Sequence, residues 1–432
     1  ESSSLTQTSP TLAPETVIPD PDVHRAERRK LLLLAAIFVG VIGISIMNGS
    51  FPVVAFVIAM AATVMLHEAG HFVVAKRSGM KCTEFFLGFG PRLWSVRKGE
   101  TEYGIKALPF GGYVKILGMT NLEADIDPED EPRTYRQQSY PKRMAVALAG
   151  IVTHFAMAFL LLIMIFAAIG IPGYDKRPVI GSISKLDSGP SPAQTAGFKV
   201  GDRIVSIDGN HITRWEDIPP HTQGSAGREL AFVVNRNGTL VDLTATPAAV
   251  TSGGETRGVI GIEPKPDVER MNPLAAVPRS GSQIWHLSTS SVAGMGSAFS
   301  PSSLKNYAGD LTNSTKKSSS STSTDDQRFV SVVGVARIAG QAAHSGAFNV
   351  VYLLVLLNIF IGVFNLVPLL PLDGGHVAIA TYERIRSRAG RRYQADVGKM
   401  MPVAAAMIVI LVLIGVTSIY LDIVRPMANP FQ

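Results

Sequence analysis

One cysteine, Cys82, is the only thiol among 432 residues. A lone thiol excludes an internal disulfide and any zinc module built from cysteines. Charge is also scarce. Asp, Glu, Lys and Arg make up 17% of the chain, against about 25% in soluble domains. Apolar residues fill the deficit: 46% are hydrophobic and the mean hydropathy is positive. Residues 31–47, 51–66, 145–171, 347–372 and 400–421 carry no charge at all. A helix needs ~20 apolar residues to cross the ~30 Å hydrocarbon core of a bilayer. The last three runs meet that length. The first two are shorter, but Asn48-Gly49-Ser50 between them reads as a tight turn, and the second can extend through Ala75. The pattern predicts an α-helical polytopic protein with five spans in a lipid bilayer.

The net charge of +6 is modest and clusters beside the apolar runs. That placement fits the excess of Lys and Arg in cytoplasmic loops and gives no reason to expect a nucleic-acid partner. Residues 1–30 are rich in Ser, Thr and Pro and read as a disordered tail; the chain opens on Glu1 rather than Met, consistent with a trimmed N-terminus. The tail ends in HRAERRK, which places it in the cytoplasm. Parity then sets the remainder. Residues 31–76 hold two spans, and 77–144, with 12 Lys and Arg between Lys76 and Arg143, lie on the cytoplasmic side. Residues 145–171 form the third span, and 172–265 form an extracytoplasmic domain. A flexible Ser-rich linker is expected over 266–330 and an amphipathic helix at the outer face over 331–346. A span over 347–375, a basic cytoplasmic loop over 376–399 and a final span over 400–424 complete the chain.

Within the second span stands VMLHEAGHFVVAK. Positions i and i+4 of a helix share a face, so His67 and His71 can hold one ion. Zinc takes neutral imidazole nitrogens, and a hydrolytic site keeps one coordination position for water. Glu68 stands beside that face and can take a proton from such a water. At ~1.5 Å per residue His67 lies ~24 Å along its span, near the inner boundary. Asp373, in NLVPLLPLDGGH, reaches similar depth and is the best candidate for a third ligand, with His376 a weaker one. Ionisable groups in spans are expensive and mark function. A bare HExxH is unspecific, and a carboxylate at a span end can equally be an interfacial group.

HEAGH on a span, then GFGPRLWSVRKGETEYGIKALPFGGYVKILGM, then GFKVGDRIVSIDG in the external region, then NLVPLLPLDGGH on a late span make an ordered set. This set resembles the site-2 protease family, in particular bacterial intramembrane zinc metalloproteases with a PDZ domain, of the actinobacterial type. The resemblance covers most of the chain from Phe51. It implies Zn2+ as cofactor, His67, His71 and Asp373 as its ligands, Glu68 as catalytic acid and base, and single-pass membrane substrates such as anti-sigma factors and signal-peptide remnants. Two departures stand out. Where relatives carry AGPxxN this chain has AGIVTHF, so Ile151 and His154 replace Pro and Asn, and His154 reads as a polar contact between helices rather than a ligand. Many relatives also lack the first span.

A helical substrate hides its scissile carbonyls, so it must be unwound, and its freed backbone groups then need partners that lipid does not supply. PRLWSVRKGETEYGIKALP reads as two strands around Arg97 to Glu100, with GGYVKILG as a third; an exposed edge there offers strand addition. Asn365 precedes Asp373 across Pro368 and Pro371, which break the helix; an amide there can bind extended substrate, stabilise the oxyanion or satisfy the frayed helix itself, and the family resemblance favours the substrate role. In the external region Asn237-Gly238 marks a hairpin, and about 178–263 resembles a PDZ domain. Two other functions compete: a membrane-tethered zinc protease acting on soluble cytoplasmic chains, and an inactive PDZ membrane adaptor.

Overall fold

In lipid a backbone must satisfy its own hydrogen bonds, so the uncharged runs fold as helices. The computed structural model describes residues 21–119, 126–186, 189–252, 255–312, 329–387 and 393–424. It divides into two units, residues 1–161 with 281–432 and residues 162–280. Five helical stretches are long and apolar enough to cross a membrane: Arg28–Met47, Phe51–Arg77, Tyr140–Ile169, Ala347–Phe364 and Val397–Val424.

Helices α1 (Pro21–Met47) and α2 (Phe51–Arg77) are joined as the sequence predicts. Gly49 takes a left-handed φ of +73°, and Asn48 Oδ1 accepts the Ser50 N–H at 3.1 Å. Helix α1 starts inside the stretch expected to be a disordered tail. DVHRAERRK contains no glycine and no interior proline, so the span helix propagates back through it. Residues 1–20 of that tail lie outside the described residues.

Strands β1 (Cys82–Lys98) and β2 (Thr101–Ile116) form one sheet after α2. The turn at Gly99-Glu100 and the return of GGYVKI are both present, but the sheet gains a segment. Both strands bend, so 84–87 pairs with 102–105 on one side and with 112–115 on the other, while 94–97 covers the far side of 102–105. Gly104 sits at the centre, where any Cβ would fall 2.4 Å from the Trp94 carbonyl. The turn is pinned to α2 and to the Glu131–Arg133 turn. Arg133 forks onto both oxygens of Glu100 at 2.7 and 2.9 Å and Lys76 joins them, which holds the Glu100 carboxyl down at about 2.

Helix α3 (Tyr140–Met164) continues as a π-helical turn, Ile165–Ile169, which Gly170 ends at φ +89°. Short strands β3 (Ile171–Tyr174) and β4 (Ile180–Ile183) follow, then the turn α4 (Pro192–Thr195), β5 (Arg203–Ile207) and β6 (Asn210–His211). Next come α5 (Ile218–Gln223), β7 (Leu230–Arg236), β8 (Thr239–Ala245), β9 (Ala248–Ser252), β10 (Glu255–Val259), β11 (Ile262–Pro264) and β12 (Pro266–Glu269). A four-stranded sheet of order β6-β5-β7-β8 and the β4-β11 ladder enclose a core that includes Ile180, Phe198, Ile204, Trp215 and Phe232, while β9-β10 and β3-β12 form two further ladders. Asn237 and Gly238 join β7 to β8 at φ +53° and +93°, the twist a two-residue hairpin needs.

Helices α6 (Pro273–Ala298) and α7 (Pro301–Thr312) replace most of the expected linker over 266–330. The Ser-rich composition misleads because the hydroxyls turn inward to their own helix: Ser288 and Ser291 bond the carbonyls four residues back at 2.7 and 2.8 Å. Asn272 caps the start, accepting the Leu274 N–H at 2.9 Å. Residues 313–328 lie outside the described residues. Helix α8 (Val332–His344) is the expected amphipathic element. Its cap Ser331 is fixed by the buried Asp422 of α11 (Met401–Val424), whose carboxylate accepts both Ser331 N–H and Oγ–H at 2.8 and 2.6 Å.

Helix α9 (Ala347–Phe364) is followed by an irregular segment and then α10 (Asp373–Arg386). The expected span over 347–375 therefore ends early, and much of the expected loop over 376–399 is helix. Pro368 and Pro371 break α9, and Gly374 and Gly375 let α10 restart against the break. A Cβ on Gly374 would lie 2.4 Å from the Leu366 and Val367 carbonyls. The buried ion pair of Arg143 on α3 with Glu383 on α10 fixes the restarted helix.

In the 162–280 unit Asp202 is 1% exposed. Burial pushes its carboxyl up, but the Arg236 fork at 2.8 and 2.7 Å and the Lys199 N–H at 2.9 Å outweigh it and hold the group below its ordinary value of 3.8. A depressed carboxyl stabilises the fold above its unfolded value, and that stability is lost as pH falls through the folded value. Asp202→Asn is expected to cost about 3 kcal/mol. It should also flatten the acid limb of unfolding below pH ~4, read from Trp215 fluorescence.

A candidate metal centre between helices

Burial of two imidazoles on one turn of α2 requires neighbours that leave room for them. His67 and His71 are 8% and 4% exposed, and α3 supplies the room. Gly70 lets the helices close, since a Cβ there would fall 2.4 Å from Thr153 Oγ1. Gly150 is tighter still: a Cβ would lie 2.3 Å from His71 Nε2 and 2.5 Å from His67 Cε1. The two rings thus rest on bare α3 backbone.

His71 Nδ1 lies 2.7 Å from the Val146 carbonyl. A carbonyl only accepts, so Nδ1 carries the hydrogen, and Nε2 of the neutral ring presents a lone pair. That Nε2 is 3.2 Å from His67 Nε2. Asp373, at the first turn of α10, brings Oδ2 to 3.4 Å from His67 Nε2 and 3.3 Å from His71 Nε2. Among the described residues, these three form the group of donors close enough to share an ion. Asp373 Oδ2 is buried without a hydrogen-bond donor, although lone pairs in such contact repel unless something positive lies among them.

A tetrahedral zinc ion with ligands at ~2.0–2.1 Å sets those ligands ~3.3–3.4 Å apart. The observed separations of 3.2–3.4 Å match one triangular face of that tetrahedron. Two imidazoles and a carboxylate suit Zn2+, and with three protein ligands the fourth position is left for water or substrate. The residues present fit the ion.

Glu68 is half-buried beside this group, and its Oε2 accepts the Val114 N–H at 3.0 Å. Val114 belongs to 112–115, the outer segment of the sheet, so one β-edge is hydrogen-bonded directly to the glutamate of HEAGH. Gly112 makes the approach possible, since a Cβ there would lie 2.8 Å from Met65 Sδ.

Other expected residues fall out differently. His376 stands apart from the three donors and packs edge-on to Tyr135 at 6.2 Å. Asn365 caps α9, and its carbonyl accepts the Gly374 N–H at 2.7 Å, which ties it to the start of the Asp373 helix. His154 is buried with its ring 4.8 Å from that of His67. Sequence reasoning missed Gly150 and Val114. A glycine four residues before a buried histidine on an apolar span was the available signal for the first; a backbone N–H leaves no signal for the second. Gly150→Ala is expected to abolish zinc retention, whereas Gly281→Ala, with open space around its Cα, retains it. Metal stoichiometry of purified protein reads the difference.

Comparison with known proteins supplies the family. Residues 55–410 match the model of peptidase family M50. Zinc metalloprotease Rip1 of Mycobacterium tuberculosis is 33% identical over 409 residues, covering 87% of this chain and 97% of the relative. Rip1 of Mycolicibacterium smegmatis is 32% identical over 409 residues, covering 87% and 98%. With five span-length helices and a donor group fit for zinc, the chain belongs to peptidase family M50, the site-2 proteases, and is a membrane zinc metalloprotease.

Proposed function

We propose that this protease cuts peptide bonds within the transmembrane segments of single-pass membrane proteins. The observation that carries the reading is the bond between Glu68 and Val114. It sets a β-edge beside a donor group whose two histidines lie on a span-length helix. In this reading His67, His71 and Asp373 hold Zn2+ near the inner boundary of the bilayer. The ion, when bound, supplies the Lewis acidity that makes water nucleophilic near neutral pH and polarises a carbonyl. Glu68 takes the proton from the attacking water and passes it to the leaving amine. With Oε2 engaged by Val114, the second carboxylate oxygen is the one left for that transfer.

The substrate must be extended before attack, and its freed backbone groups pair along the 112–115 edge rather than meeting lipid. Asn365, half-buried where α9 breaks before Asp373, donates its side-chain amide to the same extended backbone. Residues 172–265 act as a PDZ-like extracytoplasmic domain that selects chain ends and holds back intact ectodomains, while the N-terminal tail stays cytoplasmic. Family likeness favours anti-sigma factors and signal-peptide remnants as substrates.

Reconstitution with a model single-span peptide tests the proposal. Glu68→Gln should keep zinc and lose at least ~10²-fold in cleavage, while Asp373→Ala should lose zinc. Full proteolysis by both variants would end the mechanism. Equal cleavage of a soluble, unstructured peptide would favour a tethered protease acting on cytoplasmic chains.

A further inference from the structure

The two histidines of the donor group are supported in different ways. His71 has the Val146 carbonyl at 2.7 Å behind it. A metal-ligating imidazole ordinarily donates its second N–H to such a carbonyl or to a carboxylate. His67 lacks support of that quality. The Gly150 backbone approaches its buried Nδ1, yet among the described residues Nδ1 makes no hydrogen bond of ordinary length and angle. Packing has to hold the ring instead. Bare Gly150 backbone bounds it, and so does the His154 ring, 4.8 Å away and tilted by 40°.

His154 is itself tightly placed. It is 1% exposed, and its Nδ1 lies 3.1 Å from Oδ1 of Asn358 on α9, which is 0% exposed. Asn358 commits its Nδ2 to the Leu354 carbonyl at 2.8 Å. An amide whose nitrogen is so engaged turns its oxygen to the neighbour as an acceptor, so His154 carries its hydrogen on Nδ1. Behind the ring, Gly362 leaves only 3.2 Å between its own Cβ position and the Cβ of His154. The imidazole is fixed in plane and in tautomer by one helix and presses on a donor of another.

We infer that His154, pinned by Asn358, is a positioning residue for His67. The packed imidazole does the work of the absent hydrogen bond and couples the His67 ring, through α3, to α9 and so to the segment that delivers Asp373. The inference rests on the reading of His67, His71 and Asp373 as ligands. A histidine serves here because the task needs a flat ring with one directed hydrogen bond. An aliphatic side chain of similar volume fills the space without fixing an orientation.

Full-length protein in detergent tests this, using wild type, His154→Leu, Asn358→Leu and the double variant. Two quantities are read: the rate of zinc loss to a chelator, and the ligand-field absorption of the Co2+-loaded protein. Each single change should speed zinc loss by about 10–100-fold, as loss of an outer-shell support does, and should alter the Co2+ band. The double variant should be no faster than His154→Leu, because the two residues act as one unit. Wild-type loss rates in both singles, or effects that multiply in the double, would overturn the inference. So would zinc loss that merely tracks a lower melting temperature of the zinc-free protein. If His154→Leu does not fold, Asn358→Ser removes the amide from His154 while leaving both imidazole rings in place and makes the same test. Wild-type protein that takes up no zinc overturns the ligand reading together with this inference; zinc-holding wild type with unaffected variants overturns this inference alone.

Discussion

Three electron-rich atoms held within 3.4 Å of one another inside a helical bundle repel one another and forgo hydration. Much of the surrounding structure can be understood as resisting that repulsion. Gly70 and Gly150 bring α2 and α3 close enough that no side chain intervenes. The Val146 carbonyl turns His71 so that its lone pair faces inward. The Arg143–Glu383 pair, itself buried, clamps α10 against α3 and so fixes the height at which Asp373 meets the rings. A single ion among the donors reverses the sign of the interaction, and the same supports then hold the site ready for it.

The polar contacts away from the donors follow a related logic. Asp422 sits near the end of α11, buried, and is satisfied by the cap of α8. Tyr307 on α7 meets Thr417 on the same helix at 2.7 Å. The final helix thus offers polar groups to elements that the apolar pattern alone would leave unassigned. A buried carboxylate there is tolerated because two donors meet it.

Much of this was legible in the sequence. Uncharged runs located the five helices, and the i, i+4 histidines located two of the three donors, because helical period and apolar length are local properties. Pro368 and Pro371 marked the break before Asp373 for the same reason. Misreadings arose where a local signal had two meanings. Serine in 266–330 reads as linker by composition, yet along α6 its hydroxyls bond within the helix. Residues 376–386 read as a basic loop, yet a buried Glu383 paired 240 positions away makes them a packed helix. The pairing of 84–87 with two separate parts of β2 depends on bends that no alternation pattern encodes. Gly150 looked like an ordinary small residue, and its importance appears only when the rings of another helix are set against it.

The bare patch at Gly150 also constrains how the molecule can move. Sliding α3 by one turn, about 5.4 Å, would bring Val146 or His154 to the place where His67 and His71 now touch backbone. Either side chain would drive the rings apart and break the triangle of donors. Axial sliding of α3 past α2 by a turn is therefore incompatible with this arrangement of donors.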